Sequence, residues 1–121
     1  MISGGNAPKI ENNSTATQTI NFGVALNGTN GGGFGEINPV DGNLTFNGTV
    51  DLAGTTQLRV WGNNGKTVTF NGGISSSGNG GANSLSLNQN STVILAAANN
   101  YGAATISPGT PKRFSTAASV F

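Results

Sequence analysis

Acid–base chemistry in this chain falls first to four carboxylates, Glu11, Glu36, Asp41 and Asp51, because the sequence contains neither His nor Cys. A glycoside-cleaving pair needs two carboxyl groups facing each other across the bond to be broken. These four are scattered, and Asp51 sits between Val50 and Leu52 in an alternating stretch that turns its side chain outward. Arg59 is the expected neighbour of Asp51 on the next face, an exposed ion pair that contributes little. The run Gly31-Gly32-Gly33-Phe34-Gly35-Glu36 has the glycine content of a phosphate cradle or a calcium loop. A phosphate loop, however, leads into a helix with Lys and Ser or Thr, and a calcium solenoid repeats its Asp every nine residues or so. Neither pattern follows here, so the run reads as a surface loop, and no catalytic, cofactor-binding or metal-binding residue is assigned. Trp61 and Tyr101 are the two side chains that could stack on sugar rings, which makes them candidate glycan contacts. Asn-x-Thr triplets such as Asn43-Leu44-Thr45 are expected by chance in a chain this rich in Asn and Thr.

Composition narrows the partners. The 121 residues suit one domain. Only 7% are charged, with five Lys and Arg against four Asp and Glu. No basic patch with interleaved aromatics exists, so nucleic acid is not an expected partner. No apolar run approaches the roughly 20 residues that span a membrane as a helix. The residues after Met1 do not read as a secretion leader, so in an exported protein the address would have been removed or would lie outside this stretch. Hydrophobic residues make up 35%, below the roughly 45–50% usual for globular domains when Gly is counted with them. A narrow core explains that deficit if backbone hydrogen bonds run between stacked turns of chain.

The elements that would position these residues follow from a repeat. Leu44-Thr45-Phe46-Asn47-Gly48-Thr49-Val50 returns 24 residues later as Val68-Thr69-Phe70-Asn71-Gly72-Gly73-Ile74. Stepping back by the same interval reaches Ile20-Asn21-Phe22. The spacing therefore predicts a core ladder of two columns, Ile20 with Leu44 and Val68, and Phe22 with Phe46 and Phe70. Asn47 and Asn71 should form an amide ladder beside them. Ile20, Phe22, Val24 and Leu26 alternate as one strand from about Thr17. A short strand is expected at Phe34 to Ile37, another holds Leu58, Val60 and Trp61, and Leu85, Leu87, Val93 and Leu95 continue the pattern with intervals of 27 and 25. A period in the twenties made of short alternating strands points to a solenoid, whose single turns are too thin to bury an apolar face alone.

Leu85-Ser86-Leu87, then Ala98-Asn99-Asn100-Tyr101-Gly102-Ala103-Ala104-Thr105-Ile106, then Gly109-Thr110 resembles the autotransporter-associated β-strand repeat. That family reads as paired leucines, an Asn-Thr-Tyr-Thr-Gly-Gly-Thr-Thr-Val type motif and a Gly-Thr-Leu ending. Here Asn100 stands for Thr, the middle segment is one residue short, and Pro111 replaces the closing apolar residue. The resemblance covers about a quarter of the chain. It implies a right-handed parallel β-helix in an exported passenger of the bacterial surface, in which Tyr101 packs as the family's tyrosine does.

The expected architecture is all-β, a right-handed parallel β-helix of four to five coils over residues 17–110. An N-terminal arm or cap over 1–16 and a C-terminal tail over 111–121 flank it. The expected role is structural and non-enzymatic, outside the cell or on its surface. With neither end obviously capped, copies would stack head to tail into a filament, with Phe114, Val120 and Phe121 as assembly contacts. An adhesive or glycan-binding passenger fragment is the alternative.

Overall fold

The computed structural model describes residues 2–3, 8–27, 34–53, 57–62, 65–75, 77, 84–89, 92–97, 103–106 and 114–115. Among these the secondary structure is all strand, with no helix. In chain order the strands are β1 (Ile2–Ser3), β2 (Lys9–Glu11), β3 (Gln18–Ile20), β4 (Val24–Asn27), β5 (Phe34–Asn38), β6 (Leu44–Phe46) and β7 (Val50–Asp51). They continue as β8 (Gln57–Gly62), β9 (Thr67–Phe70), β10 (Ile74–Ser75), β11 (Ser84–Gln89), β12 (Thr92–Leu95), β13 (Ala103–Ile106) and β14 (Phe114–Ser115). The described strands form three sheets: β1-β4-β7-β10, β2-β5-β8-β11-β13 and β3-β6-β9-β12-β14. All the pairings are parallel. From β1 to β12 the chain visits the three sheets in rotation, one round for every three strands.

The residue pattern explains why these short strands hold. Alternation sends Leu44 and Phe46, Val68 and Phe70, and Val93 and Leu95 to one face, where they are buried, while Thr45, Thr69 and Ile94 between them stay partly exposed. Parallel register then lays like on like: Leu44, Val68 and Val93 in one column, Phe46, Phe70 and Leu95 in the next. The rings of Phe46 and Phe70 stack with centroids 5.4 Å apart and planes inclined by 10°. Val24, Val50 and Ile74 form the matching column of the first sheet, and Ile10, Ile37 and Val60 that of the second. One apolar cluster joins the inward residues of all three sheets. Removing a Phe or Leu side chain from water contributes about 1.5–3 kcal/mol, which a three-residue strand could not gain alone.

The first round departs from the 24-residue step. Ile20 pairs with Phe46 and Gln18 with Leu44, a step of 26, whereas Leu44 pairs with Val68 and Phe46 with Phe70 at 24. Phe22 is therefore not a member of the phenylalanine column but lies two residues beyond it, 71% exposed. Ile20, half-buried, takes the place expected of Phe22 instead of standing over Leu44. The expected single strand from Thr17 to Leu26 is two strands in different sheets, β3 and β4, with a bend between. The segment expected as an irregular arm holds β1 and β2, which pair in register with β4 and β5. In the segment expected as a tail, Phe114 and Ser115 pair with Val93 and Ile94. Val120, Phe121 and Tyr101 lie outside the described residues.

Candidate functional site

The outward face of the β2-β5-β8 part of the second sheet gathers Lys9, Glu11, Glu36 and Arg59 together with Phe34 and Trp61. In β8, Leu58 and Val60 are fully buried while Gln57 and Arg59 are half-buried and Trp61 is 38% exposed. In β5 the same alternation turns Phe34 and Glu36 outward and Ile37 inward. Register sets Lys9, Glu36 and Arg59 abreast on neighbouring strands. Lys9 Nζ lies 3.2 Å from a Glu11 carboxylate oxygen and 3.9 Å from one of Glu36. Arg59 Nε donates to Gln57 Oε1 at 2.6 Å, and the guanidinium carbon sits 3.6 Å from the Phe34 ring centroid. Such a cation over a ring contributes about 0.5–1 kcal/mol at an exposed site. The Lys9 ammonium, followed by the Asn38 amide, holds the Glu11 carboxyl below its ordinary range. Asn38 Nδ2 donates to Glu11 at 3.4 Å, and its buried Oδ1 has no partner among the described residues.

Asp51 does not meet Arg59. Its carboxylate instead accepts from Ser75 Oγ at 2.8 Å, from the Ser77 amide at 3.0 Å and from Ser77 Oγ. Burial pushes the Asp51 carboxyl up, and the hydrogen bonds from Ser77 and Ser75 outweigh it, so the group ionises below its ordinary value. These contacts tie β7 to β10 and the residues just after it. The arrangement is that of a structural clasp.

No family model, curated protein or solved structure matches the chain. The site is therefore argued on its own geometry. Among the described residues no cavity is formed, and no three His, Cys, Asp or Glu side chains converge as metal ligands. No helix among them is long and apolar enough to cross a membrane. Of the two candidate glycan contacts, Trp61 stands on the outward face beside Arg59 in β8, and Tyr101 lies outside the described residues. The loop residues 31–33 also lie outside them, and Glu36 at their edge is taken up by Lys9.

Two side-chain features go beyond the sequence reading, the extension of the asparagine ladder to Asn21 and the corner held by Asn12. The expected Asn47–Asn71 pair exists, with Asn71 Nδ2 donating to Asn47 Oδ1 at 2.8 Å, and it extends to Asn21, whose Oδ1 accepts from Asn47 Nδ2 at 2.6 Å. The signal was present, since Ile20-Asn21, Phe46-Asn47 and Phe70-Asn71 are the same apolar–Asn pair at each corner. Asn12 is 2% exposed and holds the corner between β2 and β3. Its Nδ2 donates to the carbonyls of Ala16 at 2.9 Å and Asn43 at 2.8 Å, and its Oδ1 accepts from the Ser14 amide at 2.9 Å. An Asn two residues before a Ser is a turn signature; that it is also buried follows only from the round beneath it.

Proposed function

We propose that this chain is a right-handed parallel β-solenoid of four to five coils that serves as a structural, non-enzymatic element outside the cell, on a bacterial surface. The observation that carries the reading is the rotation of parallel strands through three sheets around one apolar core. The resemblance of residues 85–110 to the autotransporter-associated repeat supports the extracellular setting. Three of the four carboxylates are engaged in clasps, Asp51 with two serines and Glu11 and Glu36 with Lys9, while Asp41 is exposed. A reducing-sugar assay on a panel of bacterial and plant polysaccharides tests it, with no turnover expected. Specific hydrolysis or elimination that is lost in Asp51→Asn contradicts the structural reading.

A second reading, glycan binding by the outward face of the second sheet, is favoured by one observation. Trp61 is the exposed aromatic of β8, and the Arg59 guanidinium lies over the Phe34 ring on the same face. A glycan array separates the two, because binding that disappears in Trp61→Ala supports the second. Head-to-tail assembly into a filament is the remaining expectation, and the shape of the N-terminal end of the stack bears on it.

A further inference from the structure

The corner between the third and the first sheet recurs in register on both sides. Ile20, Phe46 and Phe70 lead into it side by side, and Val24, Val50 and Ile74 leave it side by side. Phe22, Gly48 and Gly72 are therefore equivalent positions in three successive rounds. A Cβ placed on Gly48 would lie 2.3 Å from the carbonyl carbon and oxygen of Phe22. One placed on Gly72 would lie 2.3 Å from the Gly48 carbonyl carbon and 2.5 Å from its oxygen. Neither glycine is in the left-handed region, so it is space, not backbone conformation, that excludes a side chain. At both positions the missing side chain would point at the backbone of the round before.

The same position in the first described round carries a phenylalanine, and its ring is 71% exposed. By the equivalence of the corners, the Phe22 side chain leaves the backbone towards the side of the stack beyond β3, the last described strand of its sheet there. It stands where the backbone of another round would lie, in a gap that elsewhere excludes even a methyl group. Two other features of that edge agree. Gln18, exposed, terminates the column of Leu44, Val68 and Val93 with an amide. Edge strand β2 carries Lys9 and Glu11, and charges on an edge strand discourage a further strand from pairing.

We infer that Phe22 is a stacking stop, closing the N-terminal end of this molecule to a second copy of the chain. This inference rests on the stacked-strand reading proposed above and weighs against head-to-tail growth of a filament. A second copy bringing its last strands to this end in register would meet the ring before its backbone reached the strand spacing of about 4.8 Å. Replacing the whole benzyl side chain by hydrogen restores at this corner the shape that Gly48 and Gly72 present to their neighbours.

Sedimentation velocity over a wide concentration range, with electron microscopy of the same samples, tests it on the full chain and on Phe22→Gly. The wild-type chain is expected to sediment as one species whose coefficient does not rise with concentration. Phe22→Gly should keep the wild-type melting temperature, since the ring is exposed, while its sedimentation coefficient rises with concentration and rods appear in micrographs. Rods formed by the wild-type chain overturn the inference, as does a Phe22→Gly variant that never associates. A large fall in the melting temperature of Phe22→Gly overturns it too, because it would mean that the ring is packed. None of these outcomes decides whether parallel strands stack within one molecule, which label distances inside a single chain measure separately.

Discussion

At the scale of single residues the molecule depends on like meeting like across neighbouring rounds. Phe46 is fully buried and stacked on Phe70, so Phe46→Ala is expected to cost about 3–5 kcal/mol in urea unfolding, the range for a core aromatic truncation. Thr45→Ala, on the outward side of the same strand, should cost well under about 1 kcal/mol. The asparagine ladder gives a graded prediction. Among the described residues Asn47 makes two ladder bonds and Asn71 one, and a net hydrogen bond contributes about 0.5–1.5 kcal/mol. Asn47→Ala should therefore cost about twice as much as Asn71→Ala in the same denaturation measurement. Asp51 supplies a pH dependence. Its carboxyl ionises more readily in the folded chain than in the unfolded one, because Ser77 and Ser75 donate to the charged form. Its stabilising effect is thus complete above the unfolded value of about 3.9 and is lost as pH falls through the lower folded value. Glu11, held low by Lys9, acts in the same direction. In melting curves from pH 7 to pH 2, Asp51→Asn should lower stability at neutral pH and flatten the acid limb; an unchanged acid limb would mean that the clasp is not formed.

At the scale of elements, register decides which side chains are core. The stretch from Leu44 to Ile74 was legible in the sequence because its step is constant: Leu44 with Val68, Phe46 with Phe70 and Val50 with Ile74 all stand 24 apart. The displaced pairs were legible as well, Leu85 under Leu58 at 27 and Val93 under Val68 at 25. The first round was not, for a definite reason. A slip of one residue would exchange the two faces of a strand, but a slip of two preserves the alternation. Ile20, Phe22 and Val24 look equally apolar in either register, and only the packed structure shows that the chain bends at Phe22. The strands β1 and β2 were hidden because two or three residues carry too little alternation to register, and their pairing comes from the round that follows. For the functional face, composition pointed to Trp61 but not to the Arg59–Phe34 stack, which exists because Phe34 and Gln57 are register partners on adjacent strands. The corner glycines make a further prediction. Gly72→Ala sets a methyl group against the Gly48 backbone and should cost about 3 kcal/mol or more in chemical denaturation, since backbone must move to admit it.

At the scale of the whole molecule, three parallel sheets share one core, and each round leans on the next through backbone hydrogen bonds, the ladder and the apolar columns. Stability then accumulates from nearest-neighbour contacts, so damage in the middle rounds should outweigh damage at either end. The proposed solenoid is most directly tested by distances between sites that stand one above another. Thr19, Thr45, Thr69 and Ile94 form one outward column in four successive strands, and the chain has no cysteine of its own, so pairs of cysteines there can be labelled with nitroxides without background. At about 4.8 Å per strand, electron paramagnetic resonance should find mean backbone separations near 5, 10 and 14 Å for Thr19 with Thr45, Thr69 and Ile94, growing in equal steps. Separations that fail to increase in that order, or a Thr19–Thr45 pair farther apart than Thr19–Ile94, would contradict the parallel stack.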